Sequence, residues 1–196
     1  MTARFLILIV ISALLVGLPE SYCQSTPDSL FISFPDRAAL PTKFAGNISR
    51  LKEAAGELFN DGGASVRDAP DSVMLQAIDQ ATNFQNLLLA KYWLAWHYRE
   101  MIPVLILKMR NKKFVGLSNY ADMVIWERVR SGHMKYYGNG NVEADDLFTV
   151  AGRVNWLLKQ VTGEQFGNVS MYSDNRQLRK LQQKWIQWLQ SLTEKK

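Results

Sequence analysis

Residues 173–192 read SDNRQLRKLQQKWIQWLQSL. Leu178, Leu181, Trp185, Trp188 and Leu192 recur at spacings of three, four, three and four, which is one face of a helix. Arg179, Lys180 and Gln183 point elsewhere, so the helix is predicted to bury a tryptophan stripe and keep a basic side. Just upstream, residues 147–163 read LFTVAGRVNWLLKQVTG and place Leu147, Val150, Val154, Leu157 and Val161 on one face. Asp145 and Asp146 suit its first turn, where the helix dipole favours acids, and Gly163 is its stop. The stretch from Gly163 to Ser173 is long enough to reverse the chain, so the two stripes should meet, with Trp185 and Trp188 holding the last helix onto the one before.

The same period extends toward the N-terminus. Phe44, Ile48, Leu51, Ala55 and Leu58 share one face over Thr42–Phe59, and Asn60, Asp61, Gly62 and Gly63 end that helix. A loop to Pro70 precedes a helix through Met74 and Ile78, with Asp68 or Asp71 available to cap its free amides. From Phe84 to Tyr98 apolar residues cover nearly every side, the pattern of a helix buried in the middle of a fold. Lys91, His97, Arg99 and Glu100 interrupt it too often for a membrane span. Pro103 should open a new short helix over Val104–Met109, since proline breaks a helix interior but suits a first turn. A further helix, capped by Ser118 or Asn119, is predicted through Tyr120, Val124, Trp126 and Val129 to Arg130, followed by a turn at Gly138–Asn141.

Residues 1–23 have the order of a secretory signal peptide: Arg4, an apolar run from Phe5 to Leu18, then Pro19, Glu20 and Ser21. The run is shorter than the ~20 residues that span a bilayer core, so the expected mature chain begins at Gln24 and has no transmembrane span. Cys23 is the one cysteine, which leaves no disulfide. It is either the end of a discarded signal or the acylated first residue of a lipoprotein; Glu20 and Tyr22 do not suit the second. Residues 24–41 combine prolines and acids with Leu30, Phe31, Ile32 and Phe34, and read as an extended arm lying across the helices or offered to a partner. Residues 42–196 make a single helical domain, rich in tryptophan. The net charge of +5 makes a moderately basic surface. Export argues against nucleic acid as a partner.

Few residues carry chemistry. His97 and His133 are the only histidines and lack partners at ligand spacing, so no metal, cofactor or catalytic triad is expected. Asn139, Asn141, Glu143 and Asp145 alternate as in a calcium loop, but Ala144 and Val150 stand where the glycine and the bidentate acid belong; a turn before an acidic helix start explains them. Glu100, Glu127 and Asp122 are the acids near apolar sequence, and their spacing selects no pair for lysozyme-like hydrolysis. Two basic groups remain as candidate binding residues for an anionic envelope polymer or another envelope protein. They are Lys108, Arg110, Lys112 and Lys113 near a helix end, and Arg176, Arg179 and Lys180, with Lys184, on the last helix. Asn47 and Asn168 begin Asn-x-Ser/Thr sequons, which matter only in a eukaryotic secretory pathway.

Gly152-Arg153, Trp156-Leu157-Leu158, Val161-Thr162-Gly163, Phe166-Gly167 and Trp185-x-x-Trp188 together resemble the closing segment of bacterial HEAT-like helical-repeat proteins. Met101–Ile106 is similar to the start of a second helix in such a repeat. The likeness covers about a third of the chain and implies structural roles for Trp156, Gly163, Phe166, Trp185 and Trp188, a helical surface presented to other molecules, and no catalytic residues. The expectation is an all-α protein, an irregular helical bundle or short HEAT-like α-solenoid behind an extended arm. It would be exported to a periplasm or the cell exterior as an interaction or structural module. An envelope polysaccharide hydrolase is the alternative.

Overall fold

The structure, a computed structural model, describes residues 32–117 and 145–193. Their helices are α1 Thr42–Leu58, α2 Ala64–Arg67, α3 Asp71–Gln80, α4 Phe84–Lys108, α5 Val150–Thr162 and α6 Asn175–Ser191. Extended pairing among the described residues is confined to two isolated antiparallel bridges, Ala38 with Thr193 and Phe114 with Thr149, so the protein is an all-α bundle.

The hub is α5. Every one of its residues except Gln160 is buried, and α1, α3 and α4 all pack against it. Its ends are set by local chemistry. The Thr149 hydroxyl accepts from the Gly152 N–H at 3.2 Å, and Gly163 closes the helix at φ 77°, a left-handed conformation that side chains resist. A Cβ on Gly163 would also press on the ends of the Asn47 and Lys43 side chains of α1. Gly152 has no room at all: a Cβ there would run into the Asp146 backbone carbonyl.

The helix expected at the centre, Phe84–Tyr98, is part of α4. It is well buried at Leu87, Ala90, Trp93, Leu94 and Ala95, and packs against α1, α2, α3, α5 and α6. Its Leu88, Leu89, Tyr92 and Trp96 are only half-buried, so the more enclosed position belongs to α5. Pro103 does not open a new helix. Instead α4 runs on to Lys108 and is broken upstream at His97, whose φ of −105° and ψ of 17° leave the helical region. A proline cannot donate to the preceding turn, and its helix bends to accommodate the loss.

Other boundaries move for similar local reasons. Leu58 ends α1 and is exposed, because Phe59 turns to extended backbone before the glycines are reached. The loop to Pro70 contains α2, started by Asp61, whose carboxylate accepts from the Gly63 and Ser65 N–H groups. Neither Asp68 nor Asp71 caps α3: Asp68 pairs with Arg67, and Asp71 stands in the first turn with its carboxylate 3.8 Å from the His97 ring. Asp145 and Asp146 lie ahead of α5 and not in its first turn, since Thr149 takes the capping position. The predicted signal peptide, Cys23, residues 24–31, the helix from Ser118 to Arg130, His133 and the turn at Gly138–Asn141 lie outside the described residues.

On α6, Leu178, Leu181, Trp185, Trp188 and the closing Leu192 are all buried, as their spacing implies. Trp185 meets α5, but Trp188 reaches past it to Phe44 of α1, with ring centroids 5.7 Å apart. A run of ring contacts continues from Phe166 through Trp185, Trp188, Phe44 and Tyr98 to Phe34. Residues 32–41 form no helix; Phe34 is buried, and the Ala39 N–H donates to the Leu192 carbonyl at 3.1 Å. No helix of the described residues is long and apolar enough to cross a membrane.

Candidate binding groove

A helix buried on all sides has nowhere to put polar side chains except inside, and α5 carries three charged or amide groups there. The Arg153 guanidinium is fully buried and donates to three backbone carbonyls: Leu147 at 2.7 Å, Ile78 at 3.1 Å and Gly116 at 2.6 Å. It thereby ties α3, the loop after α4 and the loop before α5 to one side chain. Burial pushes Arg153 below the ordinary arginine value, while the Asp79 and Asp146 carboxylates act the other way.

Two residues on, Asn155 and Lys159 converge on Asp145. One oxygen of Asp145 accepts from the Asn155 amide and from the Val169 N–H, each at 2.7 Å; the other accepts from the Lys159 ammonium at 2.7 Å. Asn155 also donates to the Gly167 carbonyl at 3.0 Å and accepts from the Trp185 indole at 2.9 Å. Lys159 reaches the Asn168 side-chain oxygen at 2.5 Å. Every polar atom in this cluster is matched, which is the condition for burying charge at tolerable cost. Its effect is to fix the stretch Phe166–Val169 against α5.

That stretch and α6 enclose a shallow groove of about 210 Å³. Phe166 and Leu178 supply apolar wall; Asn168, Ser173, Gln177, Lys180 and Lys184 supply the polar lining, with no carboxylate among the lining residues. Phe166 is held by an edge-on contact with Trp185 at 4.7 Å, and Gln177 by the capping box it makes with Asp174 at the start of α6. Next to the groove, Met171 and Tyr172 are exposed.

The candidate residues read from sequence divide. Arg176, Arg179 and Lys180 are exposed on α6, and Lys180 enters the groove together with Lys184. Arg110, Lys112 and Lys113 are exposed beyond α4 but line no part of it, and Lys108 is spent on an ion pair with Asp79. The end of α4 does lie beside α6, where the Gln182 amide donates to the Ile106 carbonyl at 2.8 Å. Trp156, Gly163, Phe166, Trp185 and Trp188 all have structural placements, Trp156 being buried beside Phe84. His97 stacks on Trp93 and pairs its Nε2 with the Arg67 carbonyl at 2.7 Å.

Of the acids considered for hydrolysis, Glu100 is exposed, while Asp122 and Glu127 lie outside the described residues. Asp145, from the calcium-like spacing, is saturated by Asn155, Val169 and Lys159, and its companions Asn139, Asn141 and Glu143 lie outside the described residues. Among the described residues no three His, Cys, Asp or Glu side chains group as a metal site would need. Sequence reasoning missed Asn168 and Gln177 as lining residues. Gln177 had a signal, three residues after Asp174, in the spacing of a capping box. Comparison of the chain with protein families, with curated proteins and with solved structures finds no match in any of the three.

Proposed function

We propose that this protein is a binding module, exported to the bacterial envelope, that presents its last helix to an anionic partner. The observation that carries the reading is the groove beside α6: Lys180 and Lys184 line it, no acid does, and Arg176 and Arg179 extend the positive charge over the exposed side of the same helix. Opposite charge at such a surface steers an acidic partner and fixes its orientation. The resemblance of residues 152–188 to HEAT-like repeats, short solenoids that present helical faces, supports the same reading. The cellular setting rests on the sequence of residues 1–23 alone.

The partner is an acidic envelope protein or an anionic envelope polymer. Retention of the purified chain on polyglutamate beads tests this directly. Wild-type protein should be held at low salt and released as salt screens the contact, and R176E/R179E should elute markedly earlier at unchanged melting temperature. Equal retention of the two proteins would remove α6 as the binding face.

A further inference from the structure

Ser173 aside, whose buried hydroxyl accepts from the Ser170 N–H at 2.9 Å and meets the Ser170 hydroxyl at 3.4 Å, the polar side chains of the groove are one-sided in their hydrogen bonding. Asn168 and Gln177 each carry an amide that could offer either an oxygen or an NH2 group to a ligand. In both, the oxygen is already committed to a partner that can only donate: the Asn168 oxygen takes the Lys159 ammonium, and the Gln177 oxygen takes the Asp174 N–H at 2.8 Å. Chemistry alone therefore fixes which way each amide faces. What remains to the groove is two NH2 groups. Lys180 adds a free ammonium among the described residues, and Lys184 has donors to spare after its bond to the Phe166 carbonyl at 3.1 Å. These four side chains offer donors only.

We infer that the groove receives the carboxylate of an acidic peptide, and that Asn168 and Gln177 are specificity-determining residues that make it a receptor for groups that only accept. The inference rests on the binding reading above and names its ligand. A sugar's hydroxyls must donate as well as accept, and these side chains leave those protons unanswered. A carboxylate accepts at both oxygens and has no proton to place. The wall of Phe166 and Leu178 suits the carbon skeleton of a peptide bearing that carboxylate, and the volume of about 210 Å³ holds one or two residues of it. The buried Asp145–Lys159 pair then has a part in recognition. By holding the Asn168 oxygen inward it keeps the donor outward, although neither charge touches the ligand.

The test uses the full chain, labelled with 15N, and two capped dipeptides, acetyl-Leu-Glu-amide and its neutral counterpart acetyl-Leu-Gln-amide. The acidic peptide should shift the side-chain NH2 signals of Asn168 and Gln177 and the neutral one should not. N168D and Q177E keep the oxygen that Lys159 and Asp174 need, and turn the outward NH2 into an oxygen. Each should weaken the acidic peptide about tenfold or more, the scale of one charge-assisted hydrogen bond. Q187E, on the exposed side of α6 and outside the groove, makes the same change in net charge and should leave affinity within about twofold.

Signals that stay still, or N168D and Q177E behaving like Q187E, overturn the inference. Inorganic phosphate displacing the dipeptide at equal concentration would replace the peptide by a phosphate-bearing ligand and overturn it as well. Its failure is separable from that of the binding reading. Protein held on polyglutamate through Arg176 and Arg179, with silent groove amides, loses the groove and keeps the cationic face. Groove amides that respond while R176E/R179E elutes with wild type give the reverse.

Discussion

The Lys159 ammonium and the Asp145 carboxylate meet at 2.7 Å with their side chains 6% and 2% exposed. An ion pair this deep is costly to form and more costly to break, because removing one partner strands the other charge away from water. K159M and D145N are each expected to lose about 3 to 5 kcal/mol of stability. The double variant K159M/D145N should lose much less than the sum of the single effects. Urea denaturation of the three proteins measures the coupling. Additive losses would mean that the two charges do not depend on each other.

Two glycines in helices should respond to alanine with opposite signs. Gly46 lies on the exposed side of α1, where an added methyl would meet nothing within 4 Å, so G46A should stabilise by about 1 kcal/mol through helix propensity alone. In α5, a methyl on Gly152 would collide with the Asp146 backbone, and G152A should destabilise despite the same propensity gain. Thermal melts of both variants decide the matter; a stabilised G152A would show that α5 does not approach Asp146 so closely.

Trp185 and Trp188 should differ in what they lose. W185F keeps most of the ring contact with Phe166 but leaves the Asn155 oxygen without its indole donor, a cost of about 1 to 3 kcal/mol. W188A empties the space between Phe44 and Trp185, a cost of about 3 to 5 kcal/mol. Both should lower the melting temperature, with blue-shifted emission in the wild type. An unchanged melting temperature for W188A would mark that ring as a surface platform.

Asp61 gives the fold a measurable response to acid. Hydrogen bonds from Ser65, from its hydroxyl first and its N–H next, hold the Asp61 carboxyl below the usual carboxylate range. A group whose value falls on folding stabilises the fold above its unfolded value, near 4, and the contribution is lost as pH drops through the lower folded value. The Gly63 and Ser65 amide resonances should therefore shift below pH 4 and not between pH 5 and 8. D61N should abolish that shift. A shift centred at neutral pH would contradict the assignment.

The helices were legible wherever one face alternates with another. The spacings around Phe44, Val154 and Trp185 mark α1, α5 and α6, and Gly163 marks the end of α5. Rank in the bundle was not legible, because α4 has more apolar residues than α5, and it is polar side chains that report how deeply α5 sits. Arg153, Asn155 and Lys159 look solvated until their partners are known, and those partners include carbonyls and an indole far along the chain. The break at His97 was misplaced for a different reason: Pro103 announces a disturbance without saying on which turn the backbone absorbs it. Of the groove, the basic residues of α6 could be read in advance; the fixed amides could not, since each depends on which atom its neighbour claims.

The hub of the bundle is encoded late. Ribosomes deliver the chain from its N-terminus, so α1, α3 and α4 emerge while the helix that covers them is still unmade. The Ile78 and Gly116 carbonyls must wait for Arg153, and Phe44 for Trp188. During that interval the surfaces of these helices that will meet α5 have no native cover, and a nascent chain in this condition depends on a holding chaperone or on swift completion to avoid sticking to its neighbours.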